Sequence, residues 1–443
     1  MKIKLYAALA ALAIAPSLGF GQDAVGFTKN VDKLIKADDV ERIIKTLSAD
    51  DMQGRGTFTP GIDKAATFIE GEFKQAGLKP LAGNTGFRQS FSMVQTKPVS
   101  AKVTLNGADV PADNLAITAS ASFSWASADG VEVVKIPAGK NFASEYQSLM
   151  ASDKKTLVLL DTSYSSFFKR LVARAKRGGT SFSKAGDKAD NAKVFVMGAL
   201  DDVKSLAVNY EVKSQEKPLF NVAGMIPGKS KPDEYVVFSG HYDHLGIVKP
   251  MNGDSIANGA DDDASGTTAV ISLAKFFKKL NNNERTLVFV AFTAEEIGGF
   301  GSQYFSKQLD ADKVTAMFNI EMIGKDSKFG PNTAFITGFE RSDFGTILQK
   351  NVEGTEFKFF PDPYVKENLF YRSDNATLAR LGVPAHSIST DQIDTDKLYH
   401  QVTDEFSSLD VKNIIATIKA IALGSRSIVA GKDTPTRVAK LDR

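Results

Sequence analysis

Residues 235–246 read YVVFSGHYDHLG: a short apolar run that stops at Ser239-Gly240 and then supplies His241, Asp243 and His244 within four positions. A run this short, rich in β-branched and aromatic residues and closed by glycine, is the pattern of a strand buried on both faces of a mostly parallel sheet. In such sheets ligands gather beyond the C-terminal ends of the strands. The stretch therefore indicates both a fold class and a place to look for chemistry. Three more runs share its layout: Thr286–Phe292 leads into Thr293-Ala294-Glu295-Glu296, Val314–Ile320 ends at Glu321, and Ala385–Ser389 is followed by a loop carrying Tyr399 and His400. Helical spacing alternates with them, over Gly266–Leu280 (Val270, Leu273, Phe277, Leu280) and over 410–423 (Ile414, Ile415, Ile418, Ile421). The expectation is an α/β protein with a mostly parallel, mixed central sheet flanked by helices.

Upstream, Val40–Leu47 and Asp63–Ala76 carry apolar residues at helical spacing, with Ala65, Phe68, Ile69 and Phe73 on one stripe and Gly77 as a stop. After Phe91 the character changes to short alternating runs separated by Gly, Pro, Asn and Asp, in which Thr156–Leu160 and Val194–Met197 read as buried strands. Lys169, Arg170, Arg174, Lys176 and Arg177 cluster between them without interleaved aromatic residues, the mark of a solvated helix face rather than a nucleic-acid surface. The segment 97–218 is read as an inserted or second domain, between 23–96 and 219–443 of the main body.

The first residues, MKIKLYAALAALAIAPSLGFGQ, give a basic start, an apolar run over Leu5–Ala15 and then small residues. That is the layout of a secretory signal peptide over 1–22, too short for a membrane span. An exported protein without any cysteine must draw its stability from its core or from bound metal. The formal charge is +2 over 443 residues, and 43% of residues are hydrophobic, which suits a large core and argues against a polyanionic partner. The expected product is soluble, periplasmic or secreted, and a monomer or weak oligomer.

Residues 259–266, GADDDASG, place three like charges side by side just before a helix. Taken singly, each candidate residue has a plain structural reading. Asp263 can cap the helix, Glu295 and Glu296 can be solvated loop acids, His400 can be a surface imidazole, and His386 fits a packed position beside a strand. Taken together, four strand ends and an acidic turn supply imidazole and carboxylate to one sheet edge, which solvated decoration does not explain. A mixed N/O donor set suits zinc, and a shared carboxylate can bridge two ions about 3.5 to 4 Å apart. Asp243 lies two residues after His241 on extended chain and is placed to take the ring's second N–H. Neighbouring Glu295 and Glu296 point different ways, so one can bind metal while the other serves as general base.

At these positions the sequence resembles the co-catalytic zinc aminopeptidases, metallopeptidase family 28, which includes bacterial leucyl aminopeptidases, aminopeptidase Y and glutamate carboxypeptidase. The matching motifs are NVAGMIPG, SGHYDHLG, NGADDDASGTTAV, FTAEEIGGFGS, FNIEMIG, RSDNATLARLGVPA and YHQVTDEF, with DMQGRGT and DKAATFIEGEFKQAGLKPL resembling the family's N-terminal region. The resemblance implies two zinc ions per chain, with Mn2+ or Co2+ also suited to such donors. It gives His241 to one zinc, His400 to the other, Asp262 to both as a bridge, and adds Glu296 and Glu321 as ligands. Glu295 becomes the general base and Asp243 the residue that orients His241. Glu321 stands where the family commonly has Asp, and Asn375 where it commonly has His. Tyr371 is a candidate oxyanion donor, Arg372 a candidate for a terminal carboxylate, and 97–218 has the location of a protease-associated domain.

The implied activity is that of a secreted exopeptidase acting on peptides, most directly an aminopeptidase, in which zinc acidifies a bound water and Glu295 takes its proton. Competing readings are a single-zinc glutaminyl cyclase-like transferase, a carboxypeptidase or dipeptidase of the same family, and a non-catalytic relative that has lost its ligands. Retention of both His241 and Asp262 argues against the first, and retention of the whole ligand set argues against the last.

Overall fold

The structure is a computed structural model that describes residues 18–182, 191–198 and 200–441. Residues 1–17 of the expected signal peptide lie outside the described residues, and 18–22 open helix α1 (Leu18–Leu34). The chain divides into two compact units, one made of the residues up to Gln89 together with those from Phe220 onward, the other of Ser90–Leu219.

The first unit is built on a mixed sheet. Its strands are β1 (the 220–226 end of Leu206–Ile226), β2 (Lys231–His241), β3 (Arg285–Phe292), β4 (Val314–Ile320), β5 (Thr333–Ile336), β6 (Lys358–Pro361) and β7 (Ala385–Ser389), in the order β6-β5-β7-β4-β2-β3-β1. The four central strands β7, β4, β2 and β3 run parallel, so their C-terminal ends share one edge. β1 is antiparallel to β3, and β5 is antiparallel to β7. The two outer strands β5 and β6 carry weak sequence signals, four residues each, and the sequence reading does not include them.

Alternation along the strands explains the layers. Val236 and Phe238 of β2 face one core with Phe289 and Phe318, while Val237 faces another with Val288, Val290 and Met317. In register, Phe238 pairs with Phe289 and with Phe318, and the rings stack at 5.3 and 4.8 Å. Such pairs contribute about 0.5 to 1.5 kcal/mol each beyond the apolar area they bury. The first face is covered by α2 (Ala37–Leu47), α3 (Pro60–Ala76), α4 (Gly266–Leu280) and α7 (Val411–Gly424) through Ile44, Ile69, Leu273 and Ile418. The second is covered by α5 (Phe300–Gln308) and α6 (Asn375–Ala379), with Phe305 and Leu378 inward. α3 starts on Pro60 and ends on Gly77 in the left-handed region, and α7 is capped by Asp410, which accepts from the backbone N–H groups of Lys412 and Asn413.

The second unit holds a four-stranded sheet ordered Leu115–Thr118, Lys193–Met197, Thr156–Leu160, Glu132–Ile136. Helix Ser165–Arg177 buries Phe168, Leu171 and Val172 and leaves Lys169, Arg170, Arg174, Lys176 and Arg177 exposed.

Candidate metal centre

The parallel strand ends bring the sequence candidates to one place. β2 delivers His241, whose Nε2 lies 3.2 Å from Asp262 Oδ1. Its Nδ1 lies 3.1 Å from the backbone carbonyl of Asp243 and 3.9 Å from that residue's carboxylate. The carbonyl, rather than the expected carboxylate, is the nearer partner for the second ring nitrogen. The Asp243 carboxylate instead accepts the backbone N–H groups of Glu295 and Glu296 at 3.0 and 3.4 Å and the Thr57 hydroxyl at 3.1 Å. It braces the loop that presents the two glutamates. Burial pushes this carboxyl up to about 6.

Beyond β3 the two glutamates separate as neighbours on a turn should. Glu296 lies among imidazoles, with Oε1 2.8 Å from His244 Nδ1 and Oε2 3.1 Å from His400 Nε2. Glu295 lines a cavity together with Asp262 and Glu321. Burial, with the charges of Glu321, Asp374 and Glu296 adding to it, holds the Glu295 carboxyl well above the usual carboxylate range. Glu321, at the end of β4, has Oε2 3.4 Å from Asn319 Nδ2, whose amide also donates to Ser373 and Ser387 at 2.8 and 3.0 Å. His400 sits at a φ of 59°, an uncommon left-handed position for a residue with a side chain, and stacks on Tyr399 at 3.9 Å.

The acidic turn gives its three carboxylates three different surroundings. Asp262 Oδ2 lies 3.3 Å from His400 Nε2 and 3.7 Å from His244 Nδ1. Asp263 Oδ1 accepts from the N–H groups of Gly266 and Met322, and Oδ2 from that of His241, each at 3.1 Å. It both caps α4 and ties the turn to β2 and β4. Asp261 turns away, accepting from Gly324 N at 2.7 Å and meeting Lys325 Nζ at 3.2 Å. The small residues beside the acids are sterically required. A Cβ on Gly266 would come 2.1 Å from Ile320 O, and one on Gly259, at a φ of 57°, would come 2.2 Å from Asp262 O.

Buried Arg55 holds the turn from the other side, donating to the carbonyls of Tyr242, Leu47, Asn258 and Gly259 at 2.8, 2.7, 2.5 and 2.8 Å. This gives the DMQGRGT segment its local purpose. Asp404 accepts from the backbone N–H groups of Asp261 and Asp262 at 3.0 and 3.1 Å. Neither residue was singled out in the sequence, because each acts on backbone atoms far away along the chain. His244 was within reach of a reading, as a third imidazole one residue after Asp243.

The electrostatics show a centre short of positive charge. Burial works against protonating His241, yet the hydrogen bond to Asp262 and the charges of Asp263 and Glu295 outweigh it and hold the imidazole well above its ordinary value. His400 is likewise carried up to about 10, against burial, by Asp262 and Glu296. Asp262 is correspondingly held well below the usual carboxylate range, its burial outweighed by these histidines. His244, Asp262 and Glu296 each offer a ligand atom within 4.8 Å of the others, and the buried Nε2 of His244 has no hydrogen-bond partner among the described residues. Convergent imidazole and carboxylate with an orphaned ring nitrogen fit a divalent metal of mixed N/O preference.

Residues 221–424 match the model of peptidase family M28. Leucine aminopeptidase 1 of Ajellomyces capsulatus is 28% identical over 234 residues, covering 49% of this chain and 58% of the relative. The chain thus spans little more than half the length of the curated relatives it matches. Among solved structures, the aminopeptidase from Aneurinibacillus sp. strain AM-1 superposes with a TM-score of 0.55 at 17% identity, over 94% of this chain and 97% of that one. A zinc aminopeptidase from Bacillus subtilis gives 0.52 at 17% identity, over 89% and 95%. These two similarities establish the fold.

Three residues noted in the sequence lie in other surroundings. Tyr371 packs beside Phe370 with Arg341 and Arg380 over its ring at 5.4 and 5.5 Å, and it is not among the residues lining the cavity, whereas Tyr399 is. Asn375 is buried and donates to the carbonyls of Phe370 and Ala385, so it is part of the scaffold. His386 is also scaffold, fixed between Thr337 O and the Ser342 hydroxyl, each at 2.8 Å.

Proposed function

We propose that the protein is an exported di-zinc exopeptidase that removes N-terminal residues from peptides. The observation that carries this reading is the division of labour between adjacent Glu295 and Glu296. One is held among imidazoles, and the other faces the cavity with its proton affinity raised by burial. The names of the relatives, leucine aminopeptidase and zinc aminopeptidase, support the same conclusion.

His241, Asp262, Glu296, Glu321 and His400 are the proposed ligands, with His244 beside them. Zinc, when bound, supplies Lewis acidity toward a peptide carbonyl and toward water. Glu295 takes the proton of the attacking water and returns it to the leaving amine, a task for which an elevated carboxylate pKa is suited. The Asp243 carboxylate keeps the glutamate loop in place through its two backbone N–H bonds. Tyr399, which lines the cavity and stacks on His400, is the proposed donor to a developing oxyanion. Export rests on the leader-like composition of residues 1–22, and among the described residues no helix is long and apolar enough to cross a membrane. The 90–219 unit is proposed to be an insertion in the catalytic domain, since the chain leaves the first unit at Gln89 and returns at Phe220.

The test is a digest of one peptide in three forms: free, N-acetylated and C-amidated. Stepwise loss of residues from the amino end of the free and amidated forms, abolished by a chelator and by acetylation, is the expected result. Cleavage of the acetylated form from its carboxyl end would overturn the aminopeptidase assignment.

A further inference from the structure

We propose that Asp391, in the wall of the cavity, selects substrates whose first residue is basic, lysine or arginine. This rests on the aminopeptidase reading above and names the substrate class of the same site. The cavity lined by Asp262, Glu295 and Glu321 is also lined by Asp391, with Met322, Phe335, Leu369 and Ile393 as apolar walls beside several hydroxyls and Arg372. An acid in a wall that also offers apolar surface matches a long side chain with a hydrocarbon stem and a cationic head. Leucine is matched only by the walls.

Asp391 lies just past the end of β7 and is 4% exposed, and its Oδ1 has no hydrogen-bond partner among the described residues. A buried acceptor left unpaired is unfavourable, so the position is costly unless something reaches it. The charges around it point to a cation. Asp391, Asp261 and Asp396 have carboxylate oxygens within 4.8 Å of one another. Lys325 pairs with Asp261 at 3.2 Å and with Asp396 at 2.7 Å, while Asp391 shares a side-chain hydrogen bond with Asp396, so one lysine serves three acids. Burial, with Asp261 and Asp396 adding to it, keeps the Asp391 carboxyl up at about 8, and an arriving ammonium or guanidinium would draw off that proton. An inorganic cation is the competing occupant of the three carboxylates.

The test uses the zinc-loaded full chain and the p-nitroanilides of lysine, arginine, norleucine and leucine, norleucine being the lysine stem without its charge. The expected wild-type kcat/KM for lysine and arginine exceeds that for norleucine at least tenfold. In Asp391→Asn this ratio should fall at least tenfold, chiefly through KM. Free L-lysine should inhibit the wild type more strongly than L-norleucine, which decides the matter if the variant does not fold. Preference for leucine or norleucine, or an unchanged ratio in Asp391→Asn, overturns the proposal. A lysine preference that appears only on adding calcium or sodium makes the cluster an inorganic-cation site and also overturns it. Hydrolysis of none of the anilides, with acetylated peptides still cleaved, removes the aminopeptidase reading itself.

Discussion

Asp261 and Asp262 are neighbours in the chain, both are buried, and they meet their charge in opposite ways. Asp261 is answered from within the fold by Lys325, which burial disfavours as a cation but which Asp261 and Asp396 together hold above the ordinary lysine range. Asp262 faces the imidazoles of His241, His244 and His400, which titrate, and no fixed lysine or arginine pairs with it among the described residues. A built-in ammonium makes a carboxylate structural. A carboxylate paired only with proton-exchangeable rings can exchange those protons for metal.

The comparison can be broken at several points. The largest effect should come from Glu295→Gln, which removes a base and leaves the proposed ligands alone. The expected loss in kcat is on the order of 10³-fold, about 4 kcal/mol, with zinc content unchanged by mass spectrometry. Loss of zinc as well would mean that Glu295 is a ligand. On the other side of the turn, Lys325→Met strands Asp261 and Asp396 in a site where the lysine side chain is only 19% exposed. Urea unfolding should show a loss of about 3 kcal/mol. Full stability would show that Lys325 is not what answers Asp261.

The smallest expected effect concerns the histidine that lies outside the centre. His386 is buried between Ser342 and Thr337 and is pushed down to about 4 by that burial. Because the folded pKa lies below the ordinary 6.5, the neutral ring's contribution is fully present above pH 6.5 and is lost as pH falls through 4. Between pH 7 and pH 4.5 this amounts to roughly 2 kcal/mol. The stability difference between wild type and His386→Gln should shrink by that amount over the same interval. A difference independent of pH would show that the ring is not held neutral.

Much of this was legible in the sequence because the strands are short apolar runs whose ends carry the chemistry. YVVFSG, TLVFVAF, VTAMFNI and AHSIS each became a central strand, and His241, Glu296 and His400 converge with Asp262. The parts that were not legible depend on pairings that no local pattern encodes. Arg55 acts on the carbonyls of Asn258 and Gly259, about two hundred residues away. Asp404 fixes the turn through backbone N–H groups. Whether Asp243 uses its carbonyl or its carboxylate on His241 depends on where the glutamate loop lands, and no local pattern tells that Tyr399 rather than Tyr371 lines the cavity. The outer strands Thr333–Ile336 and Lys358–Pro361 are too short to announce themselves.

The central claim is that the proton-exchangeable pairs around Asp262 form a two-metal centre. Its most direct test is a titration of the chelator-stripped, purified protein with zinc, reading bound metal per chain beside aminoacyl-anilide hydrolysis. The account expects two ions per chain, with activity rising as they bind, and at most one ion in Asp262→Asn. Binding of a single ion by the wild type, or two ions bound undiminished by Asp262→Asn, would contradict it.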